Sequence, residues 1–260
     1  PDFKTEVNTD QGLPPMLKTK WQQEKRGYQQ WIVPAAQNLR KDLEIAPADY
    51  MIEWLTAWVE EFGIDGFRCR AVPYVEKERW GQLKSEAQQS LKNWRKSNPK
   101  AAGANWNEEF WMLGYVNGQG LVKNDYYRDN NQDDIRDFDS LLNTNFSSQQ
   151  KLGRIGEIWG NYAIKINNDL NFNVMSYISS ANRGLGGTDD KITAATKLLL
   201  TPGGVQIFYG DEVNKQPPAY LSQEQAAKSD YPWNNQDQKI LKHWQKLGQF
   251  RQKHQAIGAG

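Results

Sequence analysis

An α/β fold built on a parallel sheet is predicted by the regular alternation of strand-like and helix-like segments along the chain. Four short apolar runs, and a weaker fifth, have the length and composition of buried strands. They occupy residues 64–70, 110–115, 139–143, 173–178 and 205–209. Helical segments separate most of these runs, as crossover connections between parallel strands require. No internal repeat or low-complexity tract interrupts the pattern.

The helices are predicted from apolar residues that recur at helical spacing. A first helix begins at Ala48 and ends at Gly63, and its apolar stripe contains Met51, Leu55, Trp58 and Phe62. A second helix spans residues 76–96 and carries Trp80, Leu83, Ala87, Leu91 and Trp94 on one face. Further helical segments cover residues 148–167, 190–200 and 239–254. Residues 1–46 are punctuated by glycines and prolines and are predicted to form an irregular, packed loop.

Composition excludes several classes of function. The 260 residues carry a net charge of +1 and are 38% apolar, so the chain can bury a core, and its charge gives no support to a surface that binds nucleic acid or anionic membranes. No apolar run approaches the ~18 residues of a membrane span. The single cysteine, Cys69, excludes an intrachain disulfide and a cysteine-based zinc site. Only His243 and His254 are available as histidines, which disfavours a Ser-His-Asp site elsewhere.

Four landmarks occur in an order that resembles the α-amylase family of glycoside hydrolases, in its bacterial periplasmic type. They are Gly63–Arg68, Phe110–Gly114, Asn173–Ser180 and Gly203–Glu212, and they match the fourth, fifth, seventh and eighth strands of that family's barrel. The segment His243–Arg251 resembles the helix that closes the barrel. The resemblance implies that residues 47–260 are the C-terminal part, about five strands, of a TIM-type (β/α)8 barrel. It implies that residues 1–46 are a remnant of a loop domain, and that the protein is periplasmic or secreted.

The catalytic groups of that family are replaced in this chain. The resemblance places the nucleophilic aspartate at Arg70, the acid/base glutamate at Tyr115 and the third carboxylate at Asn182. A guanidinium is neither a nucleophile nor a base, and it repels a cationic transition state. A phenol, which titrates near pH 10 in water, is a poor acid for a glycosidic oxygen at neutral pH. The family mechanism therefore has no intact catalytic residue here.

The groups that remain at the predicted strand ends suit binding better than catalysis. They provide hydrogen-bonding and aromatic surfaces without a tuned acid and base. Arg68 is the family residue that normally holds the nucleophile, and it is retained. The predicted ligand-binding set is Arg68, Arg70, Tyr74, Tyr115, Asn117, Asn182 and Arg183.

Three other acidic or sulfur groups are predicted to be structural. Asp211 and Glu212 follow the last strand, where they either pair with Arg68 or Arg70 or form a local charge pair, and the second interpretation is preferred. Cys69 is predicted to be a buried small apolar residue. No cofactor is predicted from the residues. Calcium is suggested by the family resemblance alone, and no ligands for it can be named.

Two functional hypotheses follow. In the first, the chain is a catalytically inactive relative that binds α-glucan, serves a structural role or carries a site rebuilt for another ligand, whether by divergence or by engineering. In the second, it is half of an active α-glucan hydrolase that works with a complementary chain. Both predict a partner polypeptide carrying the first three barrel strands, because five strands leave two sheet edges open.

Overall fold

The computed structural model describes residues 6–24, 39–116, 138–143, 154–168, 173–178, 188–216, 220–222, 225 and 228–257. These residues belong to two compact units. Unit 1 contains the described residues up to Gly114, together with Phe138 and Asp139. Unit 2 contains Tyr115 and Val116 and the described residues from Ser140 onward.

Unit 1 is a pair of parallel strands with helices before and between them. Its elements are helix α1 (Pro15–Glu24), helix α2 (Pro47–Phe62), strand β1 (Gly66–Cys69), helix α3 (Lys77–Ser97) and strand β2 (Trp111–Gly114). The register of the two strands sets Gly66 opposite Trp111 and Cys69 opposite Gly114. Both strands therefore end at the same edge of the sheet.

Gly63 determines where α2 ends and β1 begins. Its φ of 66° lies in the left-handed region, and its N–H donates to the carbonyl of Val59 at 2.8 Å, which closes the helix. A Cβ at this position would come within 2.6 Å of the Trp94 ring of α3. Glycine is therefore required both for the backbone angle and for the close approach of α2 to α3.

The core of unit 1 comes from the inner faces of α2 and α3 and from the strands. Leu83, Ala87 and Leu91 of α3 are buried, as their helical spacing predicts. Phe110 and Met112 are also fully buried, and the Phe110 ring packs edge-on against Phe67 with 4.9 Å between centroids.

Unit 2 repeats the alternation of strand and helix. Its strands are β3 (Ser140–Asn143), β4 (Asn173–Ile178) and β5 (Gly204–Ile207), and its helices are α4 (Ile155–Asn168), α5 (Thr188–Leu199) and α6 (Gln238–Lys253). The three strands are parallel, with β4 between the other two. The core contains buried residues of α4, α5 and α6: Trp159, Ala194, Ala195, Leu198, Leu199, Ile240 and Trp244.

Arg251 ties the last helix to the entry of β5. Its guanidinium donates to the carbonyls of Leu199 at 2.9 Å and Thr201 at 2.8 Å, and also to that of Gly203. Burial lowers the pKa of this guanidinium from its ordinary value. The bond to Leu199 satisfies a carbonyl at the end of α5, and the other two hold the segment that leads into β5.

Short helical turns follow two of the strands and one helix. A 3-10 turn spans Val72–Tyr74 after β1, another spans Asp211–Val213 after β5, and a third spans Gln255–Ile257 after α6. No helix in the described part of the chain is both long and apolar enough to cross a membrane.

The five predicted strands are all present, and two other expectations need correction. The segment 1–46 is not wholly irregular, because α1 begins at Pro15, where the fixed φ of proline suits the first helical position. On α2, the predicted stripe is largely exposed: Leu55 by 38%, Trp58 by 49% and Phe62 by 55%. The helix is apolar on more than one side, so spacing alone does not identify the face that the core buries.

Candidate functional site

The end of β1 presents Arg68 and Arg70 outward and Cys69 inward. Both arginines are exposed, whereas Cys69 is buried, which agrees with the alternation expected along a strand. Burial raises the pKa of the Cys69 thiol to about 12, an effect that the nearby positive charge of Arg68 partly opposes. The thiol is therefore protonated and unreactive at neutral pH, as its predicted role as a small apolar residue requires.

A constrained turn follows β1 and carries Tyr74. Ala71 has a φ of 59°, an uncommon value for a residue with a Cβ. The next residue, Val72, is fully buried, and its carbonyl accepts a hydrogen bond from Nε1 of Trp80 at 3.1 Å. Tyr74 is 84% exposed at the end of this turn. The turn thus anchors its first residue in the core and projects the phenol of its last residue into solvent.

Tyr115 directly follows β2 and is partly buried. It belongs to unit 2, whereas Arg68, Arg70 and Tyr74 belong to unit 1. The other predicted ligand-binding residues, Asn117, Asn182 and Arg183, lie outside the described residues.

The turn after β5 fixes Glu212 by hydrogen bonds. Its carboxylate accepts the N–H of Gly210 at 2.8 Å through Oε2 and the hydroxyl of Tyr231 at 2.8 Å through Oε1. Gly210 has a φ of 90°, and a Cβ there would lie 2.7 Å from Cβ of Lys215. Asp211 is buried beside this turn. These hydrogen bonds with uncharged groups give Glu212 a structural role in the turn, and the predicted local charge pair stays a prediction.

A buried ion pair in unit 1 was not predicted. Lys84 of α3 donates to the carboxylate of Asp139 and to the carbonyl of Phe110, and the same carboxylate oxygen accepts the N–H of Met112 at 2.6 Å. Both charged side chains are about nine-tenths buried. The available signal was a lysine four residues after Trp80 and three before Ala87, on the apolar face of α3.

An aromatic pair, Tyr231 and Trp233, was also missed. The signal was two large aromatic residues within the polar stretch between β5 and α6, which sequence reasoning treated as a loop.

One cavity of about 360 Å³ lies in unit 1 and is lined by residues that precede β1 in the sequence. Apolar and aromatic residues line most of it, and the Tyr50 hydroxyl at its edge is already bonded to Asp42 at 3.2 Å and to the N–H of Leu43. Its lining is Gln11–Pro15, Leu17, Ile45, Pro47, Tyr50 and Trp54. None of the predicted catalytic or ligand-binding positions is among these residues.

The described residues contain no cluster of three or more histidine, cysteine, aspartate or glutamate side chains arranged to hold a metal ion.

Comparison with known proteins identifies relatives in sequence and in fold. No family model matches the chain. The periplasmic α-amylase of Escherichia coli strain K12 is 38% identical over the whole chain, which spans 36% of that protein. A crystal structure of a debranching enzyme from Nostoc punctiforme matches with a TM-score of 0.54 and 20% identity, over 84% of this chain and 46% of that one. AmyP in complex with maltose matches with a TM-score of 0.56 and 13% identity, over 84% and 52%.

The two structural matches support the fold alone, because their sequence identities are low. They agree with the parallel strands and intervening helices of both units. The sequence match to the Escherichia coli protein adds a specific relationship, although the chain spans only about a third of that relative's length. The chain is therefore related to the α-amylase family of glycoside hydrolases, with an α-amylase-like fold.

Proposed function

We propose that this chain is the C-terminal, five-stranded part of an α-amylase-type barrel that binds α-glucan without hydrolysing it. In this proposal residues 47–260 form the barrel part and residues 1–46 a loop-domain remnant. The observation that carries it is the identity of the first groups after β1 and β2, which are Arg70 and Tyr115. The family mechanism needs a carboxyl group at each of these strand ends.

The absence of hydrolysis follows from the chemistry of the replacements. A retaining glycosidase needs two carboxyl groups about 5–5.5 Å apart, one to attack the anomeric carbon and one to protonate the leaving oxygen. Arg70 offers a guanidinium, which has no lone pair for attack. Tyr115 offers a phenol where the mechanism needs a carboxylic acid, and Asn182 has no charge to stabilise an oxocarbenium ion.

Binding of a neutral glucan is supported by the groups that the strand ends expose. Arg68 and Arg70 supply hydrogen-bond donors, and Tyr74 supplies an exposed aromatic face with a hydroxyl. Sugars combine apolar ring faces with many hydroxyls, which is the pattern these groups complement. We place Tyr115, Asn117, Asn182 and Arg183 in the same proposed binding set.

We also propose a complementary polypeptide that carries the first three barrel strands. Two features of unit 1 support it. Within the described residues β1 pairs with a neighbour on one side only. In addition, Leu55, Trp58 and Phe62 of α2 form an exposed apolar stripe, which a neighbouring helix would cover. Sedimentation of the protein with and without that polypeptide tests this proposal, and a well-behaved isolated monomer contradicts it.

The test of the main proposal is incubation with maltoheptaose followed by measurement of new reducing ends. The expected result is no increase over a protein-free blank, because no carboxylate is available at the three replaced positions. An active α-amylase assayed in parallel shows that the substrate and detection are sound. Cleavage that scales with protein concentration refutes the proposal and favours the hydrolase hypothesis.

A further inference from the structure

Two aromatic side chains stand together on the surface of unit 2 between β5 and α6. The rings of Tyr231 and Trp233 lie 4.5 Å apart between centroids, with an interplanar angle of 51°. Trp233 is 76% exposed, whereas Tyr231 is partly buried. A large indole face in water is unfavourable unless something covers it, although single exposed aromatic residues are common. What distinguishes this pair is the way in which it is held.

Hydrogen bonds of the Tyr231 side chain and of the loop backbone hold this aromatic pair in place. The Tyr231 hydroxyl donates to Glu212, which is itself held by the N–H of Gly210. The N–H of Trp233 donates to the carbonyl of Tyr231 at 2.9 Å, and the N–H of Asn235 donates to the carbonyl of Pro232 at 3.1 Å. The backbone therefore makes a tight turn at Trp233, and the phenol of Tyr231 is hydrogen-bonded to Glu212 in the turn after β5.

The same loop is attached to the end of β5 by a second set of contacts. The hydroxyl of Tyr209 and Nζ of Lys215 both donate to the carbonyl of Ser229, at 2.7 Å and 3.0 Å. The Lys215 ammonium also lies 3.9 Å from the centroid of the Tyr209 ring. The aromatic pair is therefore anchored to residues that directly follow a parallel strand, and barrel enzymes bind substrate at that end of their strands.

The indole of Trp233 presents a large ring face to solvent. A ligand that suits this surface has an apolar ring face to lie on the indole and hydroxyls at its rim that stay in water. A glucosyl ring has both features, and it needs no charged partner.

We propose that Trp233, braced by Tyr231, is a stacking platform for one glucosyl ring of a bound α-glucan. The platform rests on the glucan binding proposed above and adds a binding residue outside the strand-end set Arg68, Arg70, Tyr74, Tyr115, Asn117, Asn182 and Arg183. Its role is binding only, because neither side chain offers a group for glycosidic bond cleavage.

Isothermal titration with maltoheptaose tests the platform in four proteins: wild type, Trp233→Ala, Trp233→Phe and Trp106→Ala. Trp106 of unit 1 is an exposed tryptophan outside every proposed binding surface, so its removal controls for the loss of a surface indole. The expected result is that Trp233→Ala weakens binding about tenfold, that Trp233→Phe loses much less because it keeps a ring face, and that Trp106→Ala binds as wild type does.

Circular dichroism of each variant checks that the fold is retained, which the exposed positions of both tryptophans favour. Equal affinity of Trp233→Ala and wild type overturns the platform while the proposed glucan binding stands. Equal weakening by Trp106→Ala also overturns it. No saturable heat from wild type at millimolar maltoheptaose overturns the proposed glucan binding itself, and the platform with it.

Discussion

Replacing Lys84 by methionine is expected to destabilise unit 1 severely. Methionine keeps an unbranched chain one atom shorter than that of lysine. The change removes the ammonium that faces Asp139, leaving a carboxylate that is about nine-tenths buried without its counter-ion. It also removes the donor that Lys84 supplies to the Phe110 carbonyl. Breaking a buried pair by removing one partner costs about 3–5 kcal/mol, a large fraction of an ordinary domain's stability.

Urea unfolding followed by tryptophan fluorescence measures this loss. The matched control is Lys92→Met on the same helix, because Lys92 is exposed and its replacement is expected to change the free energy of unfolding by no more than ~0.5 kcal/mol.

The double variant Lys84→Met/Asp139→Asn separates charge from packing. Asparagine removes the stranded charge and still has an oxygen that accepts the Met112 N–H, so this variant is expected to recover part of the lost stability. A Lys84→Met protein within ~1 kcal/mol of wild type would refute the argument that this pair is a buried, mutually dependent contact.

Three further predictions concern single residues. Burial raises the pKa of Cys69 to about 12, so this thiol is expected to resist a thiol reagent at pH 8 in the folded protein. It should react in about 6–8 M urea, which unfolds an ordinary domain at about 1–3 kcal/mol per molar urea. Fast labelling of the folded protein would contradict its burial. Burial lowers the pKa of His243, whose Nε2 lies 2.8 Å from Oγ1 of Thr196. The contribution of His243 to stability is therefore present above its ordinary pKa of 6.5 and is lost as the pH falls through the lowered pKa. Replacement His243→Gln should flatten the acid side of a plot of unfolding free energy against pH. An unchanged plot would count against this role. The replacement Gly210→Ala should lower the free energy of unfolding in urea more than Gly12→Ala does. Both positions have positive φ, but only a Cβ at residue 210 would meet Lys215. Equal losses of stability would show that the contact with Lys215 relaxes freely.

Local backbone features were the part of the fold best predicted from sequence. Gly63 was predicted to end α2, and it does so in the left-handed conformation that glycine alone adopts at little cost. Apolar spacing on α3 correctly identified Leu83, Ala87 and Leu91 as core residues. These features depend on residues close together in sequence, which is where periodicity and capping rules apply.

Features that depend on contacts between distant residues were not predicted. The ion pair of Lys84 could not be predicted because its partner, Asp139, is 55 residues away in sequence. The exposed side of α2 could not be chosen because apolar residues occur on several of its faces. The bracing of Tyr231 by Glu212 likewise joins a loop to a strand end 19 residues earlier.

The candidate site was predicted only in part. Strand alternation predicts that Arg68 and Arg70 share one side, and the structure exposes both while it buries Cys69 between them. That this side faces a barrel mouth stays a prediction. Tyr74 is exposed on the turn that follows β1. The grouping of these residues with Tyr115, Asn117, Asn182 and Arg183 came from the family resemblance and stays a prediction.

The central claim is that this α-amylase relative binds glucan and leaves it intact. Calorimetric titration with maltoheptaose, followed by mass spectrometry of the recovered sugar, tests it most directly. We predict saturable heat and recovery of the heptasaccharide alone. Recovery of shorter maltodextrins, released in proportion to the protein present, would contradict the account.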